Sequence, residues 1–248
     1  MDFSIIIPVL NESHKVHRDI AAASLFLVNQ SWRGEIIVVD DGSSDDTADV
    51  AGRVSVQPNV SLHIIRNEVH RGKGYAVRTG IIASSGRLVM FADSGLCIPY
   101  EDALKGINLI KARHCDIAHG SRNLPGSVIM HHHLRKRRVS AQLFRRFIKM
   151  MPGLPPHLSD TQCGFKIYRG DVARQLFGVC ITDGFMFDIE IILRATKNGC
   201  RILEFPVQWT ADTDTRLPLK KVLLSMLVEL YRIKRALGHS EVSDSGIN

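Results

Sequence analysis

Short runs of apolar, largely β-branched residues alternate with helical patterns through the first half of this 248-residue chain. Strands that read as continuous apolar runs are buried on both faces, and the helices between them supply the cover. The pattern therefore predicts an α/β fold with a mostly parallel sheet flanked by helices. The five predicted strands before residue 120 are Phe3–Pro8, Glu35–Asp40, Ser61–Arg66, Arg87–Ala92 and Asp116–His119.

The alternation stops after Arg122, where a segment rich in glycine, proline and histidine begins. We expect residues 1–122 and 123–238 to be two halves of one domain, and residues 239–248 to be a disordered tail. The second half is predicted to contain a basic helix, a strand and a long amphipathic helix, at Leu134–Met151, Arg201–Trp209 and Leu219–Leu237.

Composition excludes several classes of protein. The five cysteines are scattered and form no CxxC pair, which argues against a disulfide framework or a zinc site and favours a reducing compartment. A predicted strand follows Met1 almost directly, so we expect no signal peptide, and no apolar run approaches the roughly 18 residues that span a bilayer. We therefore expect a cytoplasmic protein.

The formal net charge of +7 favours a phosphorylated ligand or an anionic lipid surface. Much of the excess lies in the run His131–Arg138 and in the last predicted helix. Only 6% of the residues are aromatic and no nucleic-acid motif is present, so we do not expect a nucleic-acid partner.

Charged side chains follow each of the five predicted strands. In an open parallel sheet, ligands bind beyond the carboxyl ends of the strands, so these side chains should meet in one place. Taken singly, each motif has a simpler explanation: Asp40–Asp46 could be a turn with a helix cap, and Gly72–Gly74 a plain helix entry. Their conjunction predicts a ligand site formed by Asn11 and Glu12, Asp40–Asp46, Arg71 and Lys73, Asp93, and Arg122.

One further stretch, Ser159–Lys166, follows a proline-rich segment and leads into a predicted short strand at Ile167–Arg169. Its glycine, Gly164, permits a close backbone approach, and we expect Lys166 to point outward beside the turn.

These motifs resemble the family 2 glycosyltransferases of GT-A fold. The resemblance spans roughly residues 3–235, and its second half is similar to the dolichyl-phosphate β-glucosyltransferase branch, next to the polyprenyl-phosphate glycosyltransferases. The motifs that carry it are Ser4–Pro8 with Asn11-Glu12, Val38–Ser43, Gly72–Gly74, Phe91–Asp93, Gly120–Arg122, Asp160–Lys166, Phe187–Glu190 and Val207–Trp209.

The resemblance implies a role for each motif residue. In the nucleotide-sugar-binding half, the donor site would comprise Pro8, Glu12, Asp40, Asp41, Lys73, Asp93 and Ser94. In the acceptor-side half, acceptor contacts would come from Arg138, Ser140 and Gln162. The residues implied in catalysis are Asp93, Arg122 and Lys166 near the phosphates, and Asp188 and Glu190 near the sugar.

The sequence departs from the family at the metal-binding Asp-x-Asp motif, which here reads Asp93-Ser94-Gly95, with Cys97 two positions further on. The resemblance implies Mg²⁺ or Mn²⁺ at Asp93. Such hard cations prefer oxygen ligands, so the ion would depend on Asp93, the donor diphosphate and water.

The resemblance implies an inverting hexosyltransferase that moves a sugar from a nucleotide donor, UDP-glucose above all, to a polyprenyl phosphate at the cytosolic membrane face, where it would be peripheral. Two alternatives stay open: a family 2 enzyme with a soluble hydroxyl acceptor, and a homologue that binds nucleotide sugars with little or no turnover.

Overall fold

The computed structural model describes residues 1–130, 153–211 and 226–237. The predicted basic helix at Leu134–Met151 and the tail at 239–248 lie outside these residues. The strands are β1 (Phe3–Val9), β2 (Gly34–Asp40), β3 (Val60–Arg66), β4 (Leu88–Ala92), β5 (Ile117–Ser121), β6 (Val128–Ile129), β7 (Phe165–Arg169), β8 (Ile202–Pro206) and β9 (Gln208–Trp209).

The helices alternate with the first five strands as predicted. A short 3₁₀ turn, Tyr100–Asp102, leads into the fourth helix. The helices are α1 (Val16–Asn29), α2 (Thr47–Gly52), α3 (Lys73–Ala83), α4 (Ala103–Lys111), α5 (Gly170–Gly178), α6 (Phe187–Lys197) and α7, the helical residues 226–237. No helix in the described part of the chain is long and apolar enough to cross a bilayer.

Seven strands form one sheet in the order β3-β2-β1-β4-β7-β5-β8. Strand β7 is antiparallel to both neighbours, whereas the other pairs are parallel. The mostly parallel sheet is thus confirmed. The strand predicted at Arg201–Trp209 is in fact two, because the chain leaves the large sheet after Pro206 and pairs as β9 with β6.

Alternation along β1 explains how both faces of the sheet are covered. Phe3, Ile5 and Ile7 are fully buried on one face, in a core to which α1 and α4 contribute. Ile6 is buried on the opposite face, in a second core with residues of α3, α5 and α6. Because both faces are covered, only the strand ends and the loops beyond them can hold a polar ligand.

Candidate active site

A cleft of about 1080 Å³ opens at the carboxyl ends of the central strands. The loops that follow each of β1 to β5 meet there, as predicted for charged residues at successive strand ends. The predicted site residues that line this cleft are Pro8, Asn11, Glu12, Asp41, Arg71, Lys73, Asp93, Ser94, Arg122 and Gln162. Arg138 and Ser140 lie outside the described residues.

Asp93 lines the cleft and comes directly after β4. Its carboxylate is held against the turn before β7, where the backbone N–H of Asp93 donates to the carbonyl oxygen of Gly164 at 2.8 Å. A Cβ atom on Gly164 would lie 1.9 Å from Oδ2 of Asp93, so only glycine leaves room for this carboxylate. The Nζ atom of Lys73 lies 2.6 Å from the other oxygen, Oδ1.

Arg122 is a cation fixed in place at the end of β5. Its Nε and a terminal nitrogen donate to the two carboxylate oxygens of Asp160 at 2.6 and 2.8 Å. Burial alone would lower the pKa of Arg122, but these hydrogen bonds and the charge of Asp160 raise it. Glu204 in turn accepts the backbone N–H of Asp160 at 2.7 Å. The guanidinium therefore keeps its charge and its orientation in the cleft.

Asp41 organises the loop that precedes α3. It accepts the backbone N–H groups of Arg71 and Gly72 at 3.1 and 2.7 Å, and Nδ1 of His70 lies 2.7 Å from it. Asp40 differs from the implied donor contact: its side chain is fully buried, its Oδ1 accepts the backbone N–H of Ser43, and it is not among the residues lining the cleft.

Lys166 does not point outward, so that expectation was wrong. It lies on β7, its side chain is fully buried, and its Nζ donates to the carboxylate of Asp188 and to the carbonyl oxygen of Thr161. Strand β7 begins at Phe165, earlier than predicted, and alternation then places Lys166 on the same buried face as Tyr168. Lys166 does not line the cleft formed by the described residues.

Asp188 and Glu190 are also buried and committed to other protein groups. Glu190 accepts hydrogen bonds from the backbone N–H groups of Ile181 and Thr182 and from Nε of Arg194. Neither carboxylate lines the cleft formed by the described residues. The implied position of Asp188 and Glu190 beside the sugar is therefore not seen.

Two carboxylates that were not predicted from the sequence, Asp183 and Glu229, line the cleft instead. Asp183, which precedes α6, forms ion pairs with Arg71, at 3.2 Å, and with Arg78. Glu229, on α7, accepts the backbone N–H of Met186 at 3.1 Å. The Asp183-Gly184 pair is a turn signal at a helix entry that could have been noticed. Glu229 carries no such signal, because only tertiary packing brings α7 to the cleft.

Residues 4–177 match the sequence profile of Glycosyl transferase family 2. The chain belongs to this family. It is therefore a glycosyltransferase, as the motifs predicted.

Relatives of known name cover most of the chain. The dolichyl-phosphate beta-glucosyltransferase of Dictyostelium discoideum is 29% identical, over 93% of this chain and 73% of its own length. The protein of the same name from Drosophila melanogaster is 30% identical, with coverages of 94% and 74%. Glycosyltransferase AglD of Haloferax volcanii is 25% identical over 94% of this chain, which spans 37% of AglD.

Solved structures show the same fold. Glucosyl-3-phosphoglycerate synthase from Mycobacterium tuberculosis, solved with Mg²⁺ and UDP, has a TM-score of 0.68 and 17% identity over 94% of this chain and 79% of that one. Mannosyl-3-phosphoglycerate synthase from Rubrobacter xylanophilus has a TM-score of 0.67 and 15% identity, with coverages of 96% and 75%. The fold is that of the GT-A glycosyltransferases.

The divalent cation of the family fits poorly among the residues at hand. Asp93 offers a carboxylate, but its Oδ1 already contacts the ammonium group of Lys73. Gly95 brings no side-chain ligand, and the thiol of Cys97 is a poor match for Mg²⁺ or Mn²⁺. Within the described ranges, no group of three or more histidine, cysteine, aspartate or glutamate side chains could hold a metal ion.

Proposed function

We propose that this glycosyltransferase moves a hexose from a nucleoside diphosphate sugar, UDP-glucose as the first candidate, to a polyprenyl phosphate, with inversion at the anomeric carbon. The observation that carries the proposal is a cleft at the strand ends that is lined by Asp93, by its ion-pair partner Lys73, and by Arg122, which Asp160 holds in place. The names of the dolichyl-phosphate relatives support the lipid acceptor.

The reaction requires positive charge near the diphosphate, which is the leaving group. The acceptor oxygen attacks the anomeric carbon, the bond to the diphosphate breaks, and negative charge grows on that diphosphate. Cations that meet this charge stabilise the transition state more than the ground state. Arg122 is held for this role by its two hydrogen bonds to Asp160. A phosphate acceptor is already anionic at neutral pH, so this reaction needs no general base.

A soluble hydroxyl acceptor is the second candidate. A hydroxyl must lose its proton as it attacks, which calls for a carboxylate facing the cleft. Asp183 and Glu229 are so placed, whereas Asp188 and Glu190 are not. Burial raises the pKa of Glu229, although hydrogen bonds from Met186 and Gly184 offset part of the effect. A raised pKa suits a general base, so Glu229 is the residue for this role.

A position at the cytosolic membrane face is part of the proposal. Helix α7 exposes Leu227, Val228 and Tyr231, of which Tyr231 is 66% exposed. Lys234 and Arg235 follow on the same helix. Exposed apolar side chains next to cations are the features with which a helix binds an anionic lipid surface.

The test is an assay with labelled UDP-glucose or GDP-mannose and either polyprenyl phosphate in detergent or a panel of soluble acceptors. Labelled lipid supports the proposal. Label in a soluble product alone supports the second candidate, and nucleotide-sugar binding without turnover indicates a binding protein. Asp93→Asn should abolish transfer, and Glu101→Gln, an exposed acid on the 3₁₀ turn, should leave it unchanged. Transfer from GDP-mannose but not from UDP-glucose would show that the donor carries guanine rather than uracil.

A further inference from the structure

The turn after Asp93 faces two of its backbone amides inward. The N–H groups of Gly95 and Leu96 each donate to the carboxylate of Asp19 at 2.9 Å, and Asp19 is fully buried on α1. Gly95 and Leu96 have φ angles of 91° and 49°, both in the left-handed region. Successive amides that converge on one anion form a nest. An internal carboxylate thus anchors the turn at the position where the family motif has its second acid.

Lys73, the first residue of α3, supplies a positive charge at the same place. Its side chain is 21% exposed, and its Nζ lies 2.6 Å from Oδ1 of Asp93. Lysine is ordinarily charged at neutral pH, and a carboxylate this close to Nζ favours the charged form. The ammonium group therefore stays charged at neutral pH. A bound divalent cation would have to share or displace it at Asp93.

We propose that Lys73 also binds the donor diphosphate, together with Arg122, and that the donor binds here without a resident divalent metal; this rests on the proposed donor. An ammonium group has three N–H donors, and one suffices for Asp93. The other two are available to phosphate oxygens, which lysine binds as a compact point charge. Asp93 then acts mainly by holding the Lys73 ammonium group in the cleft.

This role differs from a contact with the base or the ribose, which the family resemblance implied for Lys73. The two can be separated with uridine, which has the base and the ribose but no phosphate. A contact with the diphosphate affects the binding of UDP and leaves the binding of uridine unchanged.

The experiment is titration calorimetry of UDP and of uridine into the full chain, in EDTA and in MnCl₂. We expect UDP to bind in EDTA, with an affinity within about threefold of that in Mn²⁺. Lys73→Gln should weaken UDP binding in EDTA about tenfold or more, which is ~1.4 kcal/mol, and leave uridine binding unchanged. Lys73→Arg, which keeps the charge, should retain most of the affinity.

Lys105→Gln is the matched control, because Lys105 pairs with Asp102 at the same 2.6 Å but does not line the cleft. It should bind UDP as the unmodified protein does, and thermal unfolding should show that both glutamine variants fold.

Four results would overturn the inference. UDP binding that requires Mn²⁺ would refute it and leave the UDP-sugar donor standing. UDP binding in neither condition would refute the donor as well. Equal UDP affinities of Lys73→Gln and the unmodified protein in EDTA, or a parallel loss of uridine binding, would remove the diphosphate contact from Lys73.

Discussion

The ammonium group of Lys166 and the carboxylate of Asp188 form an ion pair inside the protein, with side chains that are 1% and 4% exposed. Removing one partner leaves the other charge buried and uncompensated, which typically costs about 3–5 kcal/mol. We expect Lys166→Met to lower the free energy of unfolding by about this amount in urea denaturation.

The double variant Lys166→Met with Asp188→Asn tests whether the unpaired charge of Asp188 causes this loss of stability. It removes both charges, so it should recover much of the stability that Lys166→Met loses. If the single variant unfolds like the unmodified protein but transfers sugar tenfold more slowly, Lys166 acts on the substrate after all.

The ion pair of Arg122 with Asp160 carries the second prediction. Asp160→Asn keeps the size of the side chain but removes the charge that orients the guanidinium. We expect kcat to fall about tenfold or more, as for the loss of one group that stabilises transition-state charge. The matched control is Asp171→Asn, since Asp171 pairs with Arg169 at the surface and surface pairs contribute little.

The same pair predicts how stability depends on pH. Burial acts to raise the pKa of Asp160, but hydrogen bonds and charge from Arg122 lower it below 3.8 overall. A carboxylate whose pKa is lower in the folded than in the unfolded protein stabilises the fold at pH values above its unfolded pKa. This stabilisation is lost as the pH falls through the folded pKa. The stability difference between the unmodified protein and Asp160→Asn should therefore be constant at neutral pH and shrink below about pH 4. Urea titrations between pH 3 and 7 measure it, and a constant difference would contradict it.

The sequence predicted the cleft because that prediction needed only chain order. In a parallel sheet, residues such as Asp41, Asp93 and Arg122, each just past a strand, must reach the same edge. The partner of Arg122 could not be predicted in this way. Asp160 reaches it only because β7 inserts antiparallel between β4 and β5, and this order is set by long-range packing.

The predicted orientation of Lys166 was wrong for a local reason. Successive side chains of a strand face opposite sides, so a strand that begins at Phe165 rather than Ile167 brings Lys166 into the alternation with Tyr168. Lysine is almost never fully buried unless it is paired, so a buried orientation is not expected from the residue type. Only Asp188, on a helix twenty-two residues further along the chain, accounts for it.

Gly164 provides the sharpest steric prediction. A methyl group there would overlap the Asp93 carboxylate, with Cβ 1.9 Å from Oδ2, so Gly164→Ala must displace that carboxylate. A displacement of about 1 Å at a reacting centre can cost about a hundredfold in rate, and we expect a loss of this order in kcat/KM. Gly178→Ala is the control, because a Cβ atom at Gly178 meets nothing within 4 Å. Full activity of Gly164→Ala would show that the position of Asp93 is not critical.

Glu229 distinguishes the two acceptor classes and also predicts a change in stability. The pKa of Glu229 in the folded protein is raised above 4.5. Its contribution to the free energy of unfolding is therefore fully present below pH 4.5, and it is lost as the pH rises through the folded pKa. Glu229→Gln keeps an oxygen that can accept the N–H of Met186 but cannot ionise. We therefore expect the variant to be more stable than the unmodified protein at pH 8 and equal to it at pH 4, in thermal unfolding.

Activity of the same variant decides the chemistry. A phosphate acceptor needs no base, so transfer from UDP-glucose to polyprenyl phosphate should stay within about threefold, whereas loss of a general base costs about a hundredfold or more. The control Asp183→Asn removes a neighbouring carboxylate of the cleft, whose oxygens already pair with Arg71 and Arg78. A large loss in Glu229→Gln alone, with a hydroxyl acceptor as the productive substrate, would contradict the lipid phosphate and identify Glu229 as the base.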